Sequence, residues 1–166
     1  IDLRKCGRSR RSGQSWHYAS DLTLYFTDLT AALDAIPNEE VIFIAHSTGG
    51  LIAPLWMDHL RRTDQERHQR LAGLILNSPW LDMMGVPGQI LTPLKPLLYA
   101  LGRMAPMTPL PGGNLTAYGE SVHKDFYGEW DFDLRFKPLA GHKKYVGWIA
   151  AVFHSFDAIH SGRIDA

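Results

Sequence analysis

The stretch VIFIAHSTGG, residues 41–50, constrains the fold of this chain more than any other. It begins with five apolar residues, most of them β-branched, which is typical of a short strand with apolar side chains on both faces. Such a strand is expected in the interior of a parallel sheet, where both faces are covered. The two glycines, followed by LIAPLWMDHLRR, predict that a helix starts directly afterwards. Ser47 is therefore expected on a sharp turn between a strand and a helix.

The segments around this turn alternate between helix and strand. Ser20 is a suitable cap for the first helix, and Pro37 is expected to stop it. Pro54 is expected in the first turn of the second helix, where proline is tolerated. The order helix, strand, helix, strand indicates parallel βαβ units and an α/β fold. The predicted elements are a helix over 20–36, a strand over 41–45, a helix over 51–62 and a strand over 71–77.

The composition changes after Asp82. The chain first becomes rich in proline, leucine and methionine, and from Ser121 onward it is rich in aromatic residues. Apolar residues recur at three- and four-residue steps over 145–160, which predicts a helix. We therefore expect a partial sheet-containing core, an inserted helical cap and a lead-in to another core strand. The predicted boundaries are 1–82 for the core, 83–160 for the cap and 161–166 for the lead-in.

A serine on such a turn is suited to nucleophilic catalysis. The turn holds the hydroxyl above the sheet, within reach of a base, and forces the serine backbone into a strained conformation. Residues two positions away must be small, and Ala45 and Gly49 meet this requirement. The amide N–H of Thr48, at the start of the helix, is positioned to bind an oxyanion. The alternative is that Ser47 only caps a helix in a nucleotide-binding protein, but the chain has neither G-x-G-x-x-G nor a Walker pattern.

The segment AHSTGG resembles the nucleophile elbow of the α/β-hydrolase fold, usually G-x-S-x-G, with Ala45 at the first glycine. Residues 2–9, DLRKCGRS, are similar to the family's D-x-R-G-x-G-x-S segment, with Lys5 at its first glycine position. The resemblance is to the branch of lysophospholipases, monoacylglycerol lipases and serine aminopeptidases of the S33 type. It implies a serine hydrolase in which Ser47 is the nucleophile, Thr48 supplies an oxyanion N–H, and Ala45, His46, Gly49 and Gly50 shape the elbow.

The resemblance also implies an acid and a histidine that follow the nucleophile along the chain. Both are expected outside residues 1–166, so we expect a middle fragment that is inactive by itself. Asp82, directly after the second strand, is a weak candidate for the acid, and Asp131 and Asp133 are interpreted as surface groups. Packing, surface or cap roles are expected for seven histidines: His46, His59, His68, His123, His142, His154 and His160.

Net charge, apolar runs and cysteine content indicate which binding partners and which compartment to expect. The charges of 17 basic and 17 acidic residues cancel, which gives no support for nucleic acid binding. No apolar run is long enough to span a membrane, and neither a metal nor another cofactor is expected. The single cysteine suits a reducing compartment, so a cytoplasmic location is expected.

The expected substrate is a small ester with an apolar acyl group, bound under the cap; the oligomeric state is left open. The alternatives are a non-catalytic fragment and a pseudo-hydrolase that serves as a binding module.

Overall fold

The protein is described by a computed structural model that covers residues 1–83, 88–111 and 115–165. Two strands and six helices form its regular structure in these ranges, together with one short 3₁₀ turn at Gly7–Ser9. In chain order the elements are α1 (Leu24–Asp34), β1 (Val41–His46), α2 (Thr48–Thr63), α3 (Gln65–Gln69), β2 (Leu71–Asn77), α4 (Gly88–Met104), α5 (Thr116–Val122) and α6 (Val146–His160).

Strands β1 and β2 pair in parallel and form a two-stranded sheet. The parallel pairing and the α2 crossover confirm the predicted βαβ unit and the α/β class. The expectation that β1 is buried on both faces is wrong for the described residues. Ile42 and Ile44 are 63% and 69% exposed, and Ile75, opposite Ile44, is 53% exposed. The described part of the chain covers only the face of β1 that packs on α2.

The first helix begins later than predicted. Ser20 does not cap α1, which starts at Leu24. Residues before it form a turn, in which the Asp21 carboxylate accepts a hydrogen bond from the Thr23 amide at 2.8 Å. Because that carboxylate and the tight turn satisfy the backbone locally, the regular helix starts only after them.

Helix α2 begins earlier than predicted. It includes Thr48 as its first residue, so Pro54 lies in the second turn rather than in the first. A proline there removes one backbone hydrogen bond of the helix, in which Gly50 would be the acceptor. The helix continues to Thr63 because its apolar face is deeply buried.

The core is formed where α1, α2 and α6 meet. Trp56 of α2 is fully buried, contacts Phe43 of β1 with ring centroids 5.4 Å apart, and donates a hydrogen bond from Nε1 to the Thr30 hydroxyl at 3.0 Å. Phe156 of α6 belongs to the same core and is 1% exposed. Burial of a large side chain such as these contributes about 1.5–3 kcal/mol, so this cluster is the main source of stability for the α2 end of the sheet.

In the second half of the chain, α4 packs along α6. A methyl group built onto Gly102 of α4 would lie 2.7 Å from the Ala150 Cβ, so the glycine allows the close approach of the helices. Nearby, the Asp157 carboxylate of α6 accepts hydrogen bonds from the Lys95 ammonium and from the Tyr99 hydroxyl of α4. These contacts fix the two helices relative to one another.

Replacing Asp157 with asparagine is expected to lower the free energy of unfolding by about 0.5 kcal/mol, because the pair is partly exposed and screened by solvent. Burial raises the pKa of Asp157, but the bonds from Lys95 and Tyr99 outweigh it and the pKa is lowered. The contribution is therefore present above the ordinary aspartate pKa near 4 and is lost as the pH falls below it. Urea denaturation of both forms at neutral and acidic pH measures this; an equal difference at both pH values would contradict it.

Candidate active site

The turn between β1 and α2 holds Ser47 in a strained backbone conformation. Its φ is 53° and its ψ is −120°, a region that non-glycine residues rarely adopt. Strain of this kind costs about 1–3 kcal/mol and persists only where the surroundings enforce it. The residue is exposed, and its side chain makes no capping hydrogen bond to α2. The hydroxyl is therefore not used as a helix cap.

Hydrogen bonds from three directions enforce the conformation of Ser47. Its amide donates to the carbonyl of Asn77, the last residue of β2, at 3.2 Å. Its carbonyl accepts from the Gly50 amide at 2.9 Å and from the Trp80 amide at 3.0 Å. The turn is thus attached both to α2 and to the segment that follows β2.

Small residues allow these elements to approach each other. A Cβ built onto Gly50 would lie 2.6 Å from the Pro79 Cβ and 2.8 Å from its Cα, which is closer than real atoms approach. At Gly49 the added Cβ would lie 4.0 Å from the Ala45 Cβ, an ordinary contact. Gly50 is therefore the position where the backbone itself excludes a side chain, while Gly49 and Ala45 tolerate a methyl contact.

The amide of Thr48 is the first of helix α2. The first amides of a helix have no acceptor within the helix, and the helix dipole makes this end attractive to negative charge. The geometry thus places an N–H group directly after Ser47, where an anionic oxygen formed at the serine would need a donor.

A cavity of about 390 Å³ opens over Ser47. Its floor is formed by residues of the turn and of β1, and its walls include apolar side chains of α1 and α6. The contributing residues include Leu3, Tyr25, Leu29, Phe43, Ile52 and Trp148. The exposed serine hydroxyl therefore borders a space with mostly apolar walls.

Cys6 and His17, which also line this cavity, have shifted pKa values. Burial, with a smaller effect of Asp2, raises the pKa of the Cys6 thiol to about 11, so the thiol is protonated and a poor nucleophile at neutral pH. Desolvation and the neighbouring His142 lower the pKa of His17 to about 4. The ring is therefore neutral at pH 7.

His17 is the functional candidate that sequence reasoning missed. It has a positive φ of 55°, lines the cavity with Ser47, and stacks on His142 with ring centroids 4.5 Å apart. His142 also stacks on Trp16 at 4.6 Å. The sequence signal was a histidine between two aromatic residues, Trp16 and Tyr18, within an otherwise polar stretch.

The other sequence candidates occupy different places. His46 lines the cavity, and its Nδ1 lies 3.0 Å from the Asn77 carbonyl oxygen, which fixes the ring. Asp82 is exposed, accepts a hydrogen bond from the Met83 amide at 2.7 Å, and is not among the residues that line the cavity. Asp131 pairs with Lys124 and Asp133 with Arg135, both at 2.6 Å, on the surface. The structure thus brings His46 but not Asp82 to Ser47.

The segment over residues 2–9 has a positive φ at both glycine positions of the family pattern that it resembles. Lys5 has a φ of 61° and Gly7 a φ of 44°, so both glycine positions of D-x-R-G-x-G-x-S lie in the left-handed region. A Cβ on Gly7 would lie 2.5 Å from the Asp2 carboxylate. Arg4 forms a bidentate pair with Asp28 of α1, at 2.8–3.0 Å, and anchors the loop beside the cavity.

Among residues 1–83, 88–111 and 115–165, no helix is long and apolar enough to cross a membrane. The same ranges contain no group of three or more histidine, cysteine, aspartate or glutamate side chains arranged to hold a metal ion.

Comparisons with known proteins agree with this geometry. Residues 1–160 match the sequence profile of the alpha/beta hydrolase family. Among solved structures, the chain is similar to a monoacylglycerol lipase from Paleococcus ferrophilus, with a TM-score of 0.56 and 18% identity over 88% of this chain and 51% of the lipase. The chain thus spans about half the length of that lipase, and at this identity the likeness concerns the fold alone. No curated protein matches the chain in sequence. By its sequence profile and its fold, the chain belongs to the alpha/beta hydrolase family.

Proposed function

We propose that Ser47 is the nucleophile of a serine hydrolase that cleaves carboxylic esters. The observation that carries the proposal is the strained backbone of Ser47, with φ 53° and ψ −120°, on a strand-to-helix turn whose exposed hydroxyl borders a cavity. Membership of the alpha/beta hydrolase family supports a hydrolase in general.

In this reaction the Ser47 hydroxyl oxygen attacks the ester carbonyl carbon while a base takes its proton. The carbonyl oxygen becomes anionic and accepts a hydrogen bond from the Thr48 amide. The alcohol then leaves with a proton, and an acyl-enzyme remains on Ser47. Water attacks this intermediate, releases the carboxylic acid and restores the serine.

The walls of the cavity support an apolar acyl group as substrate. Leu29, Phe43 and Ile52 line it, and a similar solved structure is named a monoacylglycerol lipase. We therefore place the chain in the branch of lysophospholipases, monoacylglycerol lipases and S33 peptidases, with ester hydrolysis favoured over peptide hydrolysis. Residues 83–160 are proposed to act as the cap over this cavity, and the cytoplasm is the proposed location.

The acid and base of the triad remain predictions, expected outside residues 1–166. Within the described residues, the recorded histidine–carboxylate ion pair is His123–Asp125, at 3.7 Å, and neither residue lines the cavity. His17 lines it but stacks on another histidine, and Asp82 lies outside it. The second candidate function is a pseudo-hydrolase that binds esters without cleaving them, and it requires that the regions outside residues 1–166 supply no acid or base either.

A fluorophosphonate probe tests the proposal. In a protein that includes the chain regions on either side, which are expected to supply the acid and the base, labelling is expected on Ser47, identified by mass spectrometry of the modified peptide. This labelling is expected to disappear in Ser47→Ala. The matched control is Ser78→Ala, which removes the hydroxyl of the residue directly after β2, the strand that pairs with β1. Failure of the folded chain to label, when supplied with the chain regions on either side, would favour the pseudo-hydrolase.

A further inference from the structure

A second cavity, of about 180 Å³, lies beside the cavity over Ser47. The two share three lining residues: His17, Thr48 and Trp148. Thr48 follows Ser47 directly, so the two cavities meet next to the proposed nucleophile. A ligand whose carbonyl group lies at Ser47 is therefore able to extend from one cavity into the other.

The second cavity differs from the first in its charge. Its described lining residues include Lys143 and Lys144 but no aspartate or glutamate, and Lys144 is half-buried. None of the ion pairs recorded among the described residues includes either lysine. Two lysines that line a small cavity, with no acidic residue among its described lining residues, create a positive potential that attracts an anion.

Aromatic rings form much of the remaining wall and are themselves associated with cations. The Arg10 guanidinium lies 4.6 Å from the centroid of the Trp16 ring, and the Lys5 ammonium lies 5.3 Å from that of Tyr18. Both rings line the second cavity. Arg10 and Lys5 do not themselves line the cavity, so its own positive charge comes from Lys143 and Lys144. The apolar walls around Ser47, by contrast, favour a hydrocarbon group.

We propose that the second cavity binds the anionic group, a phosphate or a carboxylate, of an amphiphilic ester whose apolar part occupies the cavity over Ser47. The position of the ester rests on the proposed function of Ser47, whereas binding of the anion does not. The preferred substrate class is therefore an ester with an apolar chain and a negatively charged end, rather than a neutral ester.

Calorimetric titration with three probes of equal chain length tests this: octyl phosphate and octanoate, each below its critical micelle concentration, and octanol below its solubility limit. Octyl phosphate, octanoate or both are expected to bind about tenfold more tightly than octanol, as suits two partly exposed lysines. Binding of both anions at similar strength assigns a general anion site, and binding of octyl phosphate alone assigns a phosphate site.

One lysine variant and two control variants test whether the preference for anions arises at the second cavity. Lys143→Gln/Lys144→Gln is expected to bind the anions only as weakly as octanol. The control Lys124→Gln/Lys137→Gln, which removes the same charge from residues that do not line the cavity, is expected to keep the preference. Ser47→Ala is also expected to keep it, so loss of labelling and loss of anion binding are separate results. Equal binding of all three probes, binding of none, or a preference unchanged in the Lys143/Lys144 variant would overturn the proposal.

Discussion

Replacing Gly50 with alanine is expected to lower the free energy of unfolding by about 2 kcal/mol, because the new methyl group meets backbone that has little freedom to move. Its Cβ would lie 2.6 Å from the Pro79 Cβ and 2.8 Å from the Pro79 Cα. The alanine gains about 1 kcal/mol of helix propensity, which offsets only part of the clash. Because the Gly50 amide and the Trp80 amide both donate to the Ser47 carbonyl, the same change is expected to slow fluorophosphonate labelling.

Gly49→Ala is the matched control, since it adds the same methyl group one residue earlier in the same turn of α2. There the Cβ would lie 4.0 Å from the Ala45 Cβ, and no backbone atom is nearer. Its stability is expected to be equal to or slightly above that of the parent. Guanidinium denaturation followed by circular dichroism compares the two; equal midpoints for Gly50→Ala and the parent would show that Pro79 is free to move away.

Removing the carboxylate of Asp58 is expected to have an effect of similar size. This side chain on α2 is 4% exposed and accepts hydrogen bonds from Arg61 at 3.0 Å and from the Asp165 amide at 3.2 Å. It also pairs with Arg62 at 2.6 Å. Asp58→Ala leaves these donors without their acceptor, so the free energy of unfolding is expected to fall by about 2 kcal/mol.

The effect of Asp58→Ala depends on pH with a defined sign. Burial raises the pKa of Asp58, but the hydrogen bonds from Asp165 and Arg61 and the charge of Arg62 outweigh it, so the pKa is lowered. The carboxylate therefore stabilises the fold above its unfolded pKa near 4, and this contribution is lost as the pH falls further. Denaturation at pH 7 and pH 3 is expected to show a difference between variant and parent that shrinks at pH 3.

Asp133→Ala is the control for Asp58→Ala, because Asp133 pairs with Arg135 two residues away on the surface. Little or no change in stability is expected for it at pH 7. If Asp58→Ala proves no more harmful than this control, the hydrogen bonds and ion pairs of Asp58 contribute nothing to stability.

Strongly periodic segments were predicted well from sequence. The second strand begins and ends where predicted, at residues 71 and 77, and α6 starts one residue after the predicted position. In both, a long apolar pattern leaves one arrangement that buries it. The start of α1 was missed because a single side chain, Asp21, satisfies the backbone ahead of it. The prediction that both faces of β1 are buried was wrong for the described residues, because apolar side chains such as Ile42 and Ile44 do not specify which element covers them.

The candidate site was only partly predictable. The turn at Ser47 was expected because its small neighbours follow a strand directly, and the positive φ of Ser47 agrees with that expectation. His17 and Lys144 reach the site through tertiary packing of distant loops, which no local spacing encodes. The close approach of Pro79 to Gly50 likewise depends on how the segment after β2 returns over α2.

The carbonyl of Ser47 accepts amide hydrogens from Gly50 on one side and from Trp80 on the other. Trp80 belongs to the segment that follows β2, whereas Gly50 belongs to α2. A single carbonyl oxygen therefore joins these two parts of the chain at the serine, and a substitution that displaces either of them would be felt by the serine backbone.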